Sequence, residues 1–435
     1  MWQSLAPELV FEIFRRFLPG LTLSVTEPKL FPWYLGQICG SWRSIFVSHA
    51  GFWSNLIVEA DFYNVQRAKR ALQIPKLCIL RSNDQPLSFK VTYVLFKASD
   101  DRSRRARKTL SKRCLQMLNL LIGESTRWRD AYITIGEPEL PILYKIHHKL
   151  PMLRSVQIQL SDVDGVVTLP PPIYEDLFEN APQLRRLCID KDPSWRVDWS
   201  GLTVISSWSP SSVLDHLDIL SRVSCLEELT IRGEFMTTIL PNTVPPITLP
   251  FLKILRTDGE DVLFLFRTPV LQELWIGFGS GFGRSDAISM CLPTLLHLTK
   301  LTLIATSTSD VEIILQYMPA LPDLTLYLYE TDCLKLLSEC PKLRCLKTLT
   351  VCVLSDDEDR WANITTWMKR KSLPHSVRYF EGLEYLSLKL SKMRGHSHIP
   401  EVVKKHLEAE GTRHSIQLIY NLDSRLPLFD DLFQC

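Results

Sequence analysis

The chain has 435 residues, of which 46% are hydrophobic and 23% are charged, and its formal net charge is +2. This length exceeds what one compact core supports, so we expect several domains or a repeat architecture. The composition excludes disorder as the main state, and the small net charge gives no reason to expect binding to nucleic acid.

The eleven cysteines are scattered along the chain, and no Cys-x-x-Cys pair occurs. A disulfide framework requires dense cysteines in a short secreted chain, so we expect free thiols in a reducing compartment. The first seventeen residues mix charged and apolar side chains, which is not typical of a signal peptide. No apolar run is long enough to span a bilayer. The sequence therefore predicts a cytoplasmic or nuclear protein without membrane contact.

The first sixty residues predict short amphipathic helices. Apolar residues recur at helical spacing between residues 5 and 18, and Pro7 is suited to the first turn of that helix. A second apolar stripe over residues 34–49 includes Leu35 and Trp42, and the very apolar run 52–58 closes the segment. Helices this short are marginal alone, so we expect them to pack on something larger.

Three runs in this segment, L-x-P-E-L-x-x-x-I-F, L-x-x-I-C-x-x-W-R-x-I and F-W-S-x-L, resemble the F-box of fungal F-box proteins. Two features depart from that family: Ala6 precedes Pro7 where the family has leucine, and the segment between the first two helices is long. The resemblance implies a small all-α domain over residues 1–60 that binds a Skp-family adaptor and, through it, a cullin. The residues at its motif positions, implied to bind the adaptor, are Leu5, Pro7, Leu9, Ile13, Leu35, Cys39, Trp42 and Trp53.

From Trp128 onward the chain repeats one signature: apolar, two residues, apolar, one residue, apolar. Most copies are separated by roughly the 20–29 residues of leucine-rich repeats. Amphipathic stretches between them predict helices over residues 173–180, 213–222, 311–318 and 333–339. We therefore expect an α/β fold over residues 128–435: an irregular leucine-rich-repeat horseshoe with a parallel sheet on its concave side and a C-terminal cap. Residues 61–127 are expected to form a linker and the N-terminal cap.

The concave side of such a sheet is the expected site for a target protein. The leucines of the signature point into the stack, and the residues between and after them face the concave side. Aromatic residues and arginine often dominate interface energy, although the rings could instead pack under a neighbouring loop. The candidate target-binding residues are Arg232, Trp275, Tyr327, Tyr329 and Lys389. A glycine-rich loop at residues 277–283 follows one of these strands directly.

Other motifs do not support a catalytic or metal-binding reading. The glycines at 277–283 lack the dinucleotide spacing, and the basic run at 102–113 has no interleaved aromatic residues. The acidic run at 356–359 lacks the glycine of a calcium loop. His147-His148 and the histidines at 396–398 do not show the spacing of metal ligands. The sequence therefore predicts no enzymatic activity, no metal and no cofactor.

The favoured function is the substrate-recognition subunit of an SCF-type cullin ubiquitin ligase, in which the F-box binds the adaptor and the repeats bind the target. The alternative is a leucine-rich-repeat scaffold without a ligase role, whose first helices only cap the repeats.

Overall fold

A computed structural model gives the structure of the protein in two compact units, Met1–Val204 and Ile205–Cys435. Both units are mixed α/β and contain parallel strands, as the sequence predicts. The residues that the structure describes are 6–17, 23–24, 35–59, 65–92, 112, 114–161, 176–189, 196–208, 213–232, 245–277, 291, 295–305, 311–312, 316, 321–328, 345–354, 385–391 and 417–421.

The first unit contains most of the described helices. They are α1 (Pro7–Phe17), α2 (Leu35–Ile38), α3 (Gly40–Ser48), α4 (Val65–Arg81) and α5 (residues 114–122). Pro7 opens α1, where a missing N–H is tolerated, and Glu8 lies at the positive end of the helix dipole. Within the described residues, no helix has both the length and the apolar character to cross a membrane.

The strands of the first unit form a parallel sheet in chain order. They are β1 (Leu23–Ser24), β2 (Asn55–Glu59), β3 (Leu87–Thr92), β4 (Trp128–Gly136), β5 (Ser155–Ser161) and β6 (Arg186–Ile189). Strand β7 (Val204–Trp208) begins at the last residue of this unit. Parallel neighbours require crossover connections, and the intervening helices and 3₁₀ helices provide them.

The parallel sheet begins earlier than the leucine signature indicates. Strands β1 and β2 lie within the first sixty residues, where an all-α module is expected, and β3 lies within the expected linker. In β2 the buried Leu56 and Val58 alternate with the half-buried Ile57, which is the two-residue period of a strand. Read from Trp53, this run also fits the apolar signature of the later repeats. The run that resembles the end of an F-box is therefore also a repeat of the sheet.

The second unit continues the same pattern after helix α6 (Val213–Arg222), which forms where the sequence predicts it. Strands β9 (Ile247–Thr248) and β11 (Phe266–Arg267) pair with each other in a separate small sheet. The remaining strands form parallel pairs in chain order: β8 (Glu228–Arg232), β10 (Ile254–Thr257), β12 (Glu273–Gly277), β13 (Lys300–Ala305), β14 (Asp323–Leu328), β15 (Thr348–Leu354), β16 (Tyr385–Ser391) and β17 (Gln417–Asn421).

The core of the second unit is a ladder of leucines in register. The central leucine of the signature on one strand pairs with the same position on the next strand, from β8 to β15. Each of these side chains is at most 1% exposed: Leu229, Leu255, Leu274, Leu301, Leu324 and Leu349. One strand cannot bury its own leucine, so each repeat depends on its neighbours for stability.

Among the connections that the structure describes, some are turns or 3₁₀ helices and not α-helices. After β4 the chain forms a 3₁₀ helix over Glu137–Ile146, in which Pro141 removes one of the N–H donors that an α-helix would need. The described part of the expected helix 173–180 is a turn, and Pro182 follows it closely. Residues 311, 312 and 316 are helical as predicted, whereas residues 333–339 lie outside the described residues.

Two tryptophans complete the ends of helices and start the strands that follow. The indole N–H of Trp53 donates to the carbonyl of Phe46 at 3.0 Å, and that of Trp128 donates to the carbonyl of Leu121 at 2.9 Å. Both carbonyls lie in the last turn of a helix, and that of Leu121 also accepts the backbone N–H of Glu124 at 2.9 Å. Trp53 stands two residues before Asn55, and Trp128 stands two residues before Asp130. Asn55 and Asp130 both pair with Ser88 of β3, one from each side. They therefore hold equivalent places in two repeats.

Candidate protein-binding surfaces

The first three helices pack around a cluster of aromatic side chains. Helix α1 buries Val10 and Phe14 on one side. The ring of Phe14 meets the ring of Trp42 edge-on at 4.9 Å and that of Phe52 at 5.7 Å. Edge-to-face contacts of this kind add stability beyond the apolar area that they bury. The cluster fixes which sides of α1 and α3 remain available to another protein.

Several apolar side chains of these helices remain in contact with solvent. Leu9 on α1 is 55% exposed, Ile38 on α2 is 52% exposed and Val47 on α3 is 37% exposed. One exposed leucine is ordinary on a protein surface, but large apolar side chains exposed on three successive short helices suit a protein interface.

The structure separates the residues that the F-box resemblance groups together. Pro7 and Leu9 are exposed, whereas Ile13, Cys39 and Trp42 are half-buried. The side chain of Leu35, which begins α2, and the whole of Leu5 lie outside the described residues. The members of this group whose side chains are described therefore differ in solvent exposure, from the exposed Leu9 to the half-buried Trp42.

Trp53 differs from the rest of the group because it is 1% exposed. Its ring packs at 5.1 Å from that of Phe46, and the guanidinium of Arg81 lies 4.5 Å above it. With its N–H also donated to a helix carbonyl, the side chain has no surface to offer an adaptor. The structure thus places Trp53 in the core that joins α3 to the sheet, and the adaptor contact that the resemblance implies for it stays a prediction.

Trp42 is anchored less completely. Its indole nitrogen is buried, and among the described residues it has no hydrogen-bond acceptor. A buried donor without an acceptor costs roughly 1–3 kcal/mol.

Cys39 stands at the start of α3, and its sulfur lies 3.2 Å from the Ser41 hydroxyl oxygen. This hydrogen bond lowers the pKa of the Cys39 thiol. Burial has the opposite effect on Cys78 and Cys114, whose pKa values it raises to about 12. Cys39 is therefore the most readily ionised of these three thiols.

On the sheet of the second unit, Trp275 lies on the face opposite the leucine ladder. It pairs in register with Arg256 and Thr302, between the two core positions Leu274 and Ile276. The guanidinium carbon of Arg256 lies 5.7 Å from the centre of its ring, within the range of a cation–π contact. Arg256 also lies 3.7 Å from the carboxylate of Glu228. These contacts fix the half-buried tryptophan in one orientation.

Tyr327 and Lys389 share another row of the same face. Both pair in register with Cys352, Tyr327 on one side and Lys389 on the other. Tyr327 is half-buried, and burial together with the neighbouring Cys352 raises the pKa of its phenol, which stays neutral. The side chain of Lys389 lies outside the described residues. The backbone therefore brings two predicted target-binding positions to one row.

The two other predicted target-binding residues are less well defined. Arg232 ends β8, one residue after the buried Ile231, but its side chain is not described, and Tyr329 lies outside the described residues. Gly277, expected in a flexible loop, instead ends β12 and pairs with Ile304. A Cβ there would lie 3.3 Å from the Cα of Asp258, so the close approach of the two strands favours glycine.

The first unit presents a polar face around Tyr132, which is not among the predicted target-binding residues. Lys90 lies 4.9 Å from the centre of the Tyr132 ring, and the Tyr132 hydroxyl donates to Gln159 at 2.9 Å. Gln157 is buried beside them in the register row of Lys90 and Tyr132. In the weak repeat that starts at Trp128, Tyr132 lies between two apolar positions of the signature, as Trp275 does in its own repeat. The expectation that such residues face the concave side would therefore also have selected Tyr132.

No protein-family model and no curated protein matches this chain. Solved structures that resemble it include the leucine-rich repeat-containing protein LegL7 from Legionella pneumophila. That protein is 13% identical, with 89% of this chain and 90% of that chain covered and a TM-score of 0.25. A protein from Bacteroides fragilis is also 13% identical, with 74% and 84% covered and a TM-score of 0.35. Similarity at this level does not establish a relationship.

Proposed function

We propose that this chain is the substrate-recognition subunit of an SCF-type cullin ubiquitin ligase. In this proposal the N-terminal helices bind a Skp-family adaptor, and the sheet faces opposite the leucine ladder bind the target protein. The observation that carries the proposal is the exposure of Leu9, Ile38 and Val47 on the three helices that resemble an F-box.

The adaptor would bind by covering apolar surface. Burial of apolar area is the main driving force of stable association, and an interface core is depleted in charged residues. Leu9 is 55% exposed, whereas Val10 and Phe14 on the same helix are buried, and the Phe14 ring packs on Trp42. A helix that is already packed before binding loses less entropy on association.

The target would bind to side chains that the sheet holds in fixed rows. Trp275 with Arg256, and Tyr132 with Lys90, combine an aromatic ring with a cation, and both kinds of residue are enriched where binding energy concentrates. The chain itself would perform no chemistry. Its contribution would be to hold the target close to the catalytic subunits in a productive orientation.

The direct test is co-expression of the full chain with a Skp-family adaptor, followed by gel filtration. We expect the two proteins to elute together as one stable complex at equal stoichiometry. A chain that is folded by circular dichroism but elutes alone would contradict the ligase proposal, and would favour the repeat scaffold whose first helices only cap the sheet.

The cysteines provide a second prediction, because they report binding without mutation. In the free chain we expect iodoacetamide to modify Cys39 before the buried Cys78 and Cys114, because only thiolates react. Mass spectrometry of digested peptides measures each rate. Bound adaptor should slow modification of Cys39 and leave the exposed Cys225 and Cys345 unchanged. Equal protection of all three, or of none, would contradict adaptor binding at the N-terminal helices.

A further inference from the structure

Three potential metal ligands that are distant in sequence meet in the first unit. Ligand atoms of His147, Asp176 and Glu179 all lie within 4.8 Å of one another. His147 follows the 3₁₀ helix after β4, and the two carboxylates belong to the turn that precedes β6. Stacking of successive repeats brings the two segments together.

The imidazole of His147 is held in position before any ligand binds. Its ring stacks on Tyr144, with 5.4 Å between centres and 9° between planes. Its backbone N–H donates to the carbonyl of Tyr144 at 3.1 Å. The ring nitrogen Nε2 is buried, and among the described residues it makes no hydrogen bond. A fixed ring whose buried nitrogen makes no hydrogen bond is well suited to coordinate an ion.

The two carboxylates are held by the core beneath them. The backbone N–H of Glu179 donates to the carbonyl of Asp176 at 3.1 Å, which closes the turn and brings the two side chains close to each other. Between them, Leu177 and Phe178 are each 1% exposed and anchor the turn. Loop flexibility therefore does not scatter the ligands.

The contact between His147 and Asp176 has the spacing of two ligands of one ion. Nε2 lies 3.2 Å from Oδ2 of Asp176, yet the geometry does not make a hydrogen bond. Metal–ligand bonds of about 2.0–2.1 Å in a tetrahedral site place neighbouring ligand atoms about 3.3 Å apart. Charge points the same way, because a divalent ion compensates the charge of both carboxylates.

We propose that His147, Asp176 and Glu179 form a binding site for a divalent transition-metal ion, with Zn²⁺ as the preferred ion. An imidazole nitrogen with two carboxylates suits zinc better than the all-oxygen sites of calcium or magnesium. Three protein ligands leave the fourth position for water. Because the ligands come from two different connections, the ion would clip neighbouring repeats of the first unit together.

The test is isothermal titration of the full-length chain with Zn²⁺ alone. We expect one site whose affinity falls at least tenfold to a hundredfold in His147→Ala and in Glu179→Gln, since even outer-shell changes have effects of about that size. Glu179 is exposed, so Glu179→Gln leaves the fold undisturbed. A matched histidine control, His297→Ala at an exposed position of the second unit, should bind zinc as the wild type does.

Free cysteines also bind zinc, so Co²⁺ absorption spectra identify the ligands. We expect d–d bands of a nitrogen and oxygen site without sulfur-to-cobalt charge transfer, and we expect His147→Ala to remove them. Zn²⁺ should also raise the melting temperature of the wild type but not of Glu179→Gln. The proposal is overturned if zinc does not bind, if it binds equally to the wild type and both ligand variants, or if the cobalt spectrum shows thiolate ligands.

Discussion

Trp53→Ala is expected to lower the free energy of unfolding by about 3–5 kcal/mol, the usual effect of removing a buried aromatic ring. The ring is packed against Phe46 and under Arg81, and its N–H donates to the carbonyl of Phe46. The substitution thus leaves a cavity and removes the indole donor from the end of α3. Urea denaturation followed by circular dichroism measures the loss.

One further variant separates the contributions of the Trp53 ring and of its hydrogen bond, and a second tests the equivalent tryptophan of a later repeat. Trp53→Phe keeps an aromatic ring but has no donor, so a smaller loss of about 1–3 kcal/mol is expected. Trp128→Ala, at the equivalent place of a later repeat, should destabilise the chain as much as Trp53→Ala does, because Trp128 donates to the end of α5. A Trp53→Ala protein as stable as the wild type would show that Trp53 is not part of the core.

Leu9→Asp combined with Ile38→Asp is expected to abolish co-purification with the adaptor while the chain stays folded. Both side chains are more than half exposed, so charge is tolerated in the free chain. In the complex, the two carboxylates would enter an apolar interface without partners, at a cost of at least about 2 kcal/mol for each position. Pull-down with tagged adaptor, quantified against the wild type, measures the effect.

Leu80→Asp is the matched control for that experiment. Leu80 is 73% exposed and lies on α4 of the same unit, outside the three helices that resemble an F-box. It introduces the same charge at an exposed leucine, so adaptor binding should be unchanged. Equal loss of binding in Leu80→Asp and in the double variant would point to a general effect of charge, and would contradict a docking face centred on Leu9.

The parts of the fold that the sequence predicts are those in which burial follows a local pattern. The leucine ladder is visible in the sequence because each strand alternates one buried and one outward residue, whatever its neighbours are. Helix α6 is visible because its apolar residues repeat at helical spacing. Pro7 correctly indicates the start of α1 because the constraint on its backbone is independent of tertiary contacts.

The parts that the sequence misses depend on three-dimensional context. Trp53 fits both an F-box motif and the first apolar position of a repeat, and the same letters allow either reading until burial is known. Strand β3 is missed because Pro86, and not a leucine, occupies the first position of its repeat signature. The grouping of His147 with Asp176 and Glu179 is invisible because it arises from the stacking of two repeats, not from spacing along the chain.

The strand register in the long parallel sheet of the second unit has a consequence for how such a chain can change over evolution. The starts of β10 and β12, at Ile254 and Glu273, are close along the chain, whereas those of β15 and β16, at Thr348 and Tyr385, are much further apart. Both pairs of strands nevertheless align residue for residue. Each strand therefore finds its place through its own apolar side chains, whatever the length of the connection before it. Lengthening a flexible connection adds only a slowly growing entropy cost. Insertions between strands can therefore accumulate while the stacked core is preserved.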